Sequence, residues 1–327
     1  KSRVTLYMAS PLFSEDSEDK WKQAAEAAYD IIKQKTDLGL DLVPYPQIFN
    51  DVNNQKAEVI LYRPTGESGD FEKANFPIGV EGGKTSTCPT QNLMEAYDMK
   101  DGTPFVWNNQ SNPYDNRDPR MKYTIVCNEM KWPVDPVEIW EGGTNGLPLQ
   151  NATTTGYYLK KYVNNTISFE AGSTVTKKQH NWVLFRYGEI LLNYAEAMIN
   201  AFHDPNYKDA VYNMSAREAV NQIRGRTNIS LPGFPSDITE KDFVKRLKNE
   251  RRVELAFEGH RFWDVRRWKE LGQTANIYGV KITKNNEVIS YEKFLLETRA
   301  VTDNMYFYPI PNTERFKNPN LGQNPGW

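Results

Sequence analysis

Apolar residues recur every three or four positions in several stretches of the chain, and the spacing is lost between them. From Ser17 to Lys33, the residues Trp21, Ala24, Ala25, Ala28, Ile31 and Ile32 share one face, which predicts a helix packed on a core. The opening KSRVTLYMA also reads as helix, but no capping residue precedes it, so the expectation is a natural chain that continues upstream of Lys1. Helical spacing returns at Trp182, where Tyr187, Leu191, Tyr194, Met198 and Phe202 form a stripe with small Ala195 and Ala197 beside it. Ser215 and Glu218 stand in capping-box spacing ahead of Ala219, Val220 and Ile223, predicting a second helix paired with the first as an antiparallel hairpin. Such hairpins are the unit of tetratricopeptide-like arrays. A third helix is predicted from Thr239, with Asp242 three residues on, through Phe243, Val244 and Leu247 to about Phe257, before Gly259 interrupts it.

Between about Asp37 and His180 the period disappears. Short aromatic pieces alternate with Pro, Gly, Asn and Asp, and SNPYDNRDPR and EGGTNGLPLQNATTTG are plain loop segments. Long irregular segments in a folded chain are usually functional or disordered, and the density of Trp and Tyr argues against disorder, so the binding surface is expected here. The predicted organisation is helical over 1–36, loop-rich over 37–180, a helical core over 181–271, and C-terminal loops, short strands and a Pro/Asn-rich tail over 272–327.

Composition narrows the function classes. A chain of 327 residues, 39% hydrophobic and 13% aromatic, can fill a substantial core. Forty basic against 42 acidic residues leave a net charge of −2, without the basic surplus that a nucleic-acid backbone demands. No apolar run is long enough to span a bilayer, and the first residues lack the pattern of a signal peptide. Cys88 and Cys127 are too far apart for a CxxC pair, although a disulfide between them stays open. The 18 Tyr, 15 Phe and 8 Trp beside 19 Pro and 20 Gly suit a sugar-binding surface and equally a large core.

Local motifs for catalysis or cofactors fail on spacing. In FPIGVEGGKTST, Gly83, Lys84 and Thr85 match the end of a phosphate-binding loop, but Gly79 lies one residue too close and no buried strand precedes it. His180, His203 and His260 are too scattered for a local metal pair and read as structural histidines. In DVNNQKAEV a calcium loop is rejected, since Lys56 stands where Gly is required and Tyr62 where the bidentate Glu belongs. No cofactor and no metal are expected. There is no GxSxG elbow, and the separation of two carboxylates in a glycosidase cannot be read from sequence. Four glycosylation triplets, at Asn151, Asn164, Asn213 and Asn228, read as chance in a chain rich in Asn, Ser and Thr.

The segment NERRVELAFEGHRFWDVRRWKEL packs Glu250, Arg251, Arg252, Glu254, Glu258, Arg261, Asp264, Arg266 and Arg267 among Phe257, Phe262, Trp263 and Trp268. Its simplest reading is a set of buried or half-buried ion pairs that fix one helix arrangement. A direct role in ligand or partner binding is the alternative.

These residues resemble the SusD/RagB glycan-binding proteins of Bacteroidetes. RYGEILLNYAEAMIN, AVNQIRGRTNI, NERRVELAFEGHRFWDVRRW and YPIPNTERFKNPNLGQNPGW are similar to that family's C-terminal blocks. PTQNLMEAYDMKDG, NPYDNRDPR and TGYYLKKY upstream follow in the family's order. The resemblance implies a mainly α fold, a helical scaffold with tetratricopeptide-like hairpins under a loop-rich region with few short strands. This chain would be its C-terminal portion, with the family's leader, lipid-bearing cysteine and first helices outside it. It also implies a non-catalytic lipoprotein on the outer face of the outer membrane, attached by an N-terminal lipid. Such a protein would bind oligosaccharides or polysaccharides and deliver them to a SusC-like TonB-dependent transporter.

Sugar capture requires aromatic faces against the apolar faces of pyranose rings and polar groups toward the hydroxyls. The candidates in the loop-rich half are Phe76, Trp107, Tyr114, Trp132 and Trp140, with Asn108, Asn109 and Arg63 as polar neighbours. The competing readings are a helical protein-interaction adaptor or a peptide-binding uptake protein, for which the hairpins from Trp182 onward speak. A glycoside hydrolase rests only on abundant carboxylates.

Overall fold

A computed structural model describes residues 1–15, 17–108, 112–170 and 176–327. Two helices open the chain, α1 (Ser2–Ala9) and α2 (Glu18–Lys33), and Ser17 caps the second by accepting from the Lys20 amide. The loop-rich part carries β1 (Val59–Pro64), three short helices, α3 (Asp70–Asn75), α4 (Gln91–Met94) and α5 (Pro119–Thr124), and the two-residue strands β2 (Ile125–Val126) and β3 (Tyr158–Leu159). Strand β4 (Asn181–Arg186) leads directly into α6 (Tyr187–Phe202), followed by α7 (Ala216–Arg224), α8 (Glu240–Glu254) and α9 (Arg261–Arg267). A hairpin of β5 (Asn276–Asn285) and β6 (Val288–Thr298) and a short α10 (Asn312–Lys317) complete it.

Helix α6 is the axis of the helical half. Every residue but Asn200 and Phe202 is buried, as expected of a helix whose neighbours surround it. Helices α2, α7 and α8 pack around it, and Ala24, Ala28, Ala195 and Ala197 keep their side chains small where the helices meet. Tyr29 stacks on Tyr194 with centroids 5.3 Å apart, tying α2 to α6. The capping box forms at α7 in both directions between Ser215 and Glu218, and Thr239 caps α8.

Two expectations are corrected. Helical structure does not start at Trp182: residues 181–186 pair antiparallel with β1, Arg63 opposite Trp182, and the helix begins only at Tyr187. Asn181 and Val183 are buried with Trp182 and Leu184 more open, as in a strand with one face on a core, and Arg186 is buried as well after the register shifts of the pairing. The C-terminal part holds longer strands than foreseen, ten and eleven residues joined across Asn286 and Glu287. Ile277, Val280, Ile282 and Tyr291 of this hairpin are buried, and Val280, Ile282 and Tyr291 belong to the core of the loop-rich half, which gives the hairpin its reason to form.

That second core gathers Met94, Tyr97, Met121, Ile125, Tyr157 and Tyr158 from the loops. Cys88 and Cys127 are both free thiols, so no disulfide joins them. Between the loops and the helices lies a seam of buried charge. Glu254 on α8 receives Arg120 from α5 at 2.9 Å, Arg186 from β4 at 2.8 Å and Arg226 from beyond α7 at 2.7 Å. Arg186 also reaches Glu58 and Glu258, each at 2.7 Å, and Lys161, which follows β3, pairs with Glu258 at 2.9 Å. Burial by itself would raise these carboxyls, yet Arg186 and Lys161 outweigh it and hold Glu258 at about 2. Desolvation pulls the Lys161 ammonium down to about 8 despite that partner.

The charged segment thus splits in two. Glu250, Arg251, Glu254, Glu258, Asp264 and Arg267 are in buried or nearly buried ion pairs, as expected. Arg252, Arg261 and Arg266 are not: among the described residues none of them has a carboxylate partner. Arg261 donates to Gln273, Arg266 lies over the Phe262 ring, and Arg252 faces a pocket beside α8.

Candidate functional site

The loops are held together by side chains that replace missing secondary structure. Asn145 donates to the Ile78 carbonyl at 2.6 Å and accepts from the Glu138 amide at 2.8 Å, so it closes its own loop and joins it to the one that carries Ile78. Gly79 sits at φ 87°, where a Cβ would lie 2.2 Å from the Thr144 carbonyl oxygen, so the close approach of these loops depends on glycine. The turn that carries Trp132 is closed by its amide donating to the Asp135 carbonyl at 2.8 Å and the Val137 amide donating to Met130 at 3.0 Å.

Trp132 stands as a partition between two hollows. One, of about 400 Å³, is lined by Phe49, Tyr123, Lys160, Lys178 and His180. The other, of about 610 Å³, is lined by Phe76, Pro133, Thr144, Asn145 and Phe169. Asn165 and Thr166 border both, making one groove with Trp132 in its middle. Its far wall is rigid: His180 stacks on Trp182 and sits 2.9 Å from Glu72, which also accepts from the Asn164 amide at 3.0 Å. Trp132 itself is only 7% exposed, with the Lys160 ammonium 4.9 Å above the ring, and its buried indole N–H has no hydrogen-bond partner among the described residues. A flexible lysine over an aromatic face is a cover that can swing aside.

All five aromatic candidates pack on the second core, but only Phe76 and Trp132 meet at one cavity. Phe76 is 1% exposed and forms the floor, edge-on to Phe169 at 6.0 Å. Tyr114 is set between Tyr157 and Tyr291 with its hydroxyl buried, and burial raises its pKa well above the usual phenol value. Trp107 is half-buried against Phe105, with exposed Asn108 next to it, and Trp140 is half-buried under the Lys284 ammonium at 4.4 Å. Arg63 is exposed on β1, and Asn109 lies outside the described residues. Tyr123, Lys160, Asn165, Thr166 and His180 escaped the sequence reading because they come from separate elements and share no spacing.

The match to known proteins completes this picture. Residues 47–327 fit the SusD family. The chain belongs to that family. Among curated relatives it is 29% identical over 163 residues to SusD-like protein P2 of Formosa agariphila, covering 48% of this chain and 28% of that protein. SusD-like protein P38 of the same organism is 30% identical over 150 residues, covering 44% and 24%. A crystal structure of a SusD-like protein from Bacteroides fragilis superposes with a TM-score of 0.77 at 25% identity, covering all of this chain and 64% of the other. A SusD-like carbohydrate binding protein from the same species gives a TM-score of 0.77 at 24% identity, covering 98% and 63%. The chain therefore spans less than two thirds of the length of these SusD-like proteins. Its mainly helical architecture with small sheets is the SusD-like fold.

Proposed function

We propose that this SusD-family chain takes part in capturing an oligosaccharide or polysaccharide in the groove around Trp132, without catalysing a reaction. The observation that carries this is the position of Trp132 between two joined hollows bordered by Asn165, Thr166, Asn145 and Tyr123. Aromatic faces and neutral amide or hydroxyl groups are what a sugar chain requires, and a groove open on both sides of a ring accommodates a polymer better than a single small molecule. With Lys160 displaced, the indole face meets a pyranose ring and the bordering Asn165 and Thr166 meet its hydroxyls. The carbohydrate-binding description of the Bacteroides fragilis relative supports the same reading. Within it, the whole protein is a lipid-anchored component of the outer face of the outer membrane that hands its ligand to a SusC-like TonB-dependent transporter. Among the described residues no helix is long and apolar enough to cross a membrane.

The test is binding to a panel of soluble neutral polysaccharides by the chain and by Tyr123→Ala and Asn165→Ala. Both residues are at the groove and outside the buried ion pairs, and circular dichroism with melting temperature checks that each variant folds. Affinity for one polysaccharide class that falls at least tenfold in both variants, about 1.4 kcal/mol, is the expected result. Enrichment of a protein or peptide partner with no glycan bound would favour the adaptor or peptide-uptake reading.

A further inference from the structure

Helix α8 has a second face that the fold does not use. Phe243, Leu247, Glu250 and Glu254 point into the core and the ionic seam, while Lys241, Lys245, Lys248 and Arg252, at spacings of three and four, line a pocket of about 470 Å³ on the other side. Arg261 of α9 and Arg246 close it, so six basic side chains surround one cavity. Its three acids are already engaged: Glu95 with Lys293, Asp98 with Arg224 and Arg246, and Glu270 with Lys248. Among the described residues, Lys241, Lys245 and Arg252 have no carboxylate partner, and Arg261 donates only to the Gln273 amide at 2.8 Å.

Arg120, Arg186, Arg224, Arg226, Arg251 and Arg267 are buried and met by carboxylates, while buried Arg117 is held by the carbonyls of Pro113, Met94 and Tyr97. Here desolvation, with Arg261 next to it, lowers the Arg252 guanidinium to about 9, still charged at neutral pH. Lys241 and Lys245 are exposed and Arg252 and Arg261 half-buried, so water screens part of their mutual repulsion, and an oxyanion between them offsets the rest. A guanidinium fork matches a carboxylate with two parallel hydrogen bonds. The cavity is too large for an ion alone and lies within the roughly 300–1,000 Å³ of small-molecule sites. Phe105, Pro104 and Val244 give it apolar surface, and Asn249 and Gln273 give it amides for hydroxyls.

We propose that this pocket binds a carboxylate-bearing saccharide, the acid group held by Arg252 and Arg261 and the sugar ring against Phe105 and Val244. The site shares no lining residue with the groove at Trp132, so it stands or falls independently of glycan capture there.

Calorimetric titration with trigalacturonate, maltotriose, sodium sulfate and triglutamate tests it on the chain, on Arg252→Gln and on Arg261→Gln. Neither arginine belongs to a buried ion pair, and circular dichroism and melting temperature confirm that both variants fold. The expected result is binding of trigalacturonate that weakens at least tenfold in each variant and with added salt, is unchanged in Tyr123→Ala, and has no counterpart with maltotriose. Absence of trigalacturonate binding, or binding that both variants retain, overturns the proposal. Equal affinity for maltotriose removes the role of charge, and equal or tighter binding of sulfate or triglutamate overturns the assignment to a saccharide.

Discussion

The two faces of α8 are a natural experiment in buried charge. Toward the core, Glu250 and Glu254 collect Arg120, Arg186, Arg224 and Arg226 from four places in the chain, and every charge is answered. Toward the pocket, Lys241, Lys245 and Arg252 gather beside Arg261 with none answered among the described residues. Both faces arise from the same run of alternating Glu, Lys and Arg. What separates them is the partner delivered by the rest of the fold: α5, β4, α7 and the segment after α7 bring arginines to the inner carboxylates, whereas among the described residues the acids that reach the outer face pair with Lys248 and Arg246 and leave Lys241, Lys245 and Arg252 without a carboxylate. A paired buried charge specifies an arrangement, whereas an unpaired cluster in a cavity calls for a ligand.

Breaking the inner face has the largest expected effect. Glu254→Ala leaves three arginines short of a partner and should destabilise the chain by about 3–5 kcal/mol in a urea denaturation, if it folds at all. A loss smaller than ~1 kcal/mol would mean that the seam does not hold the two halves together. Acid is the next probe. Glu258 ionises at about 2 in the fold against an ordinary value of 4.5. Its contribution is complete above about pH 5 and lost as the pH falls through 4.5 toward 2, on the order of 3 kcal/mol for this group. A urea midpoint that stays flat over that range would contradict the pairing.

Asp98 belongs to both faces, touching Arg224 of the seam and lining the pocket. Burial raises its pKa, Arg224 opposes this, and Glu250 nearby adds to the rise. Asp98→Asn should therefore cost only about 1 kcal/mol, measured by thermal melting, and strengthen trigalacturonate binding severalfold by unmasking positive charge. The smallest stability effect belongs to the outer face. Arg252→Gln should leave stability within about 0.5 kcal/mol of the parent or raise it, since no ion pair is lost. A loss of several kcal/mol would place Arg252 in the seam and collapse the distinction between the faces.

Much of the helical half was legible before any coordinates. The starts of α2, α7 and α8 follow from Ser17, Ser215 and Thr239, because a capping hydroxyl and an apolar stripe act within a few residues of each other, while α8 ends at Glu254, before the expected Phe257. The reading of NERRVELAF as ion pairs held for Glu254 but not for Arg252, which has no carboxylate partner among the described residues, since adjacent helix positions look the same until the neighbours of each face are known. The strand at Trp182 was hidden because β1 lies more than a hundred residues away and only its pairing makes Asn181–Arg186 extended. The hairpin at Asn286 depended likewise on a core assembled from distant loops.

By itself, then, the order of residues determined the main helices, the loop-rich middle and the family, since each rests on local spacing, on composition or on contiguous blocks. Only the tertiary structure decided which aromatic rings meet at a cavity, which charges find partners and which are left facing a pocket. Those outcomes depend on distances between side chains from Phe76 to Phe169, or from Arg120 to Glu254, that no local pattern encodes.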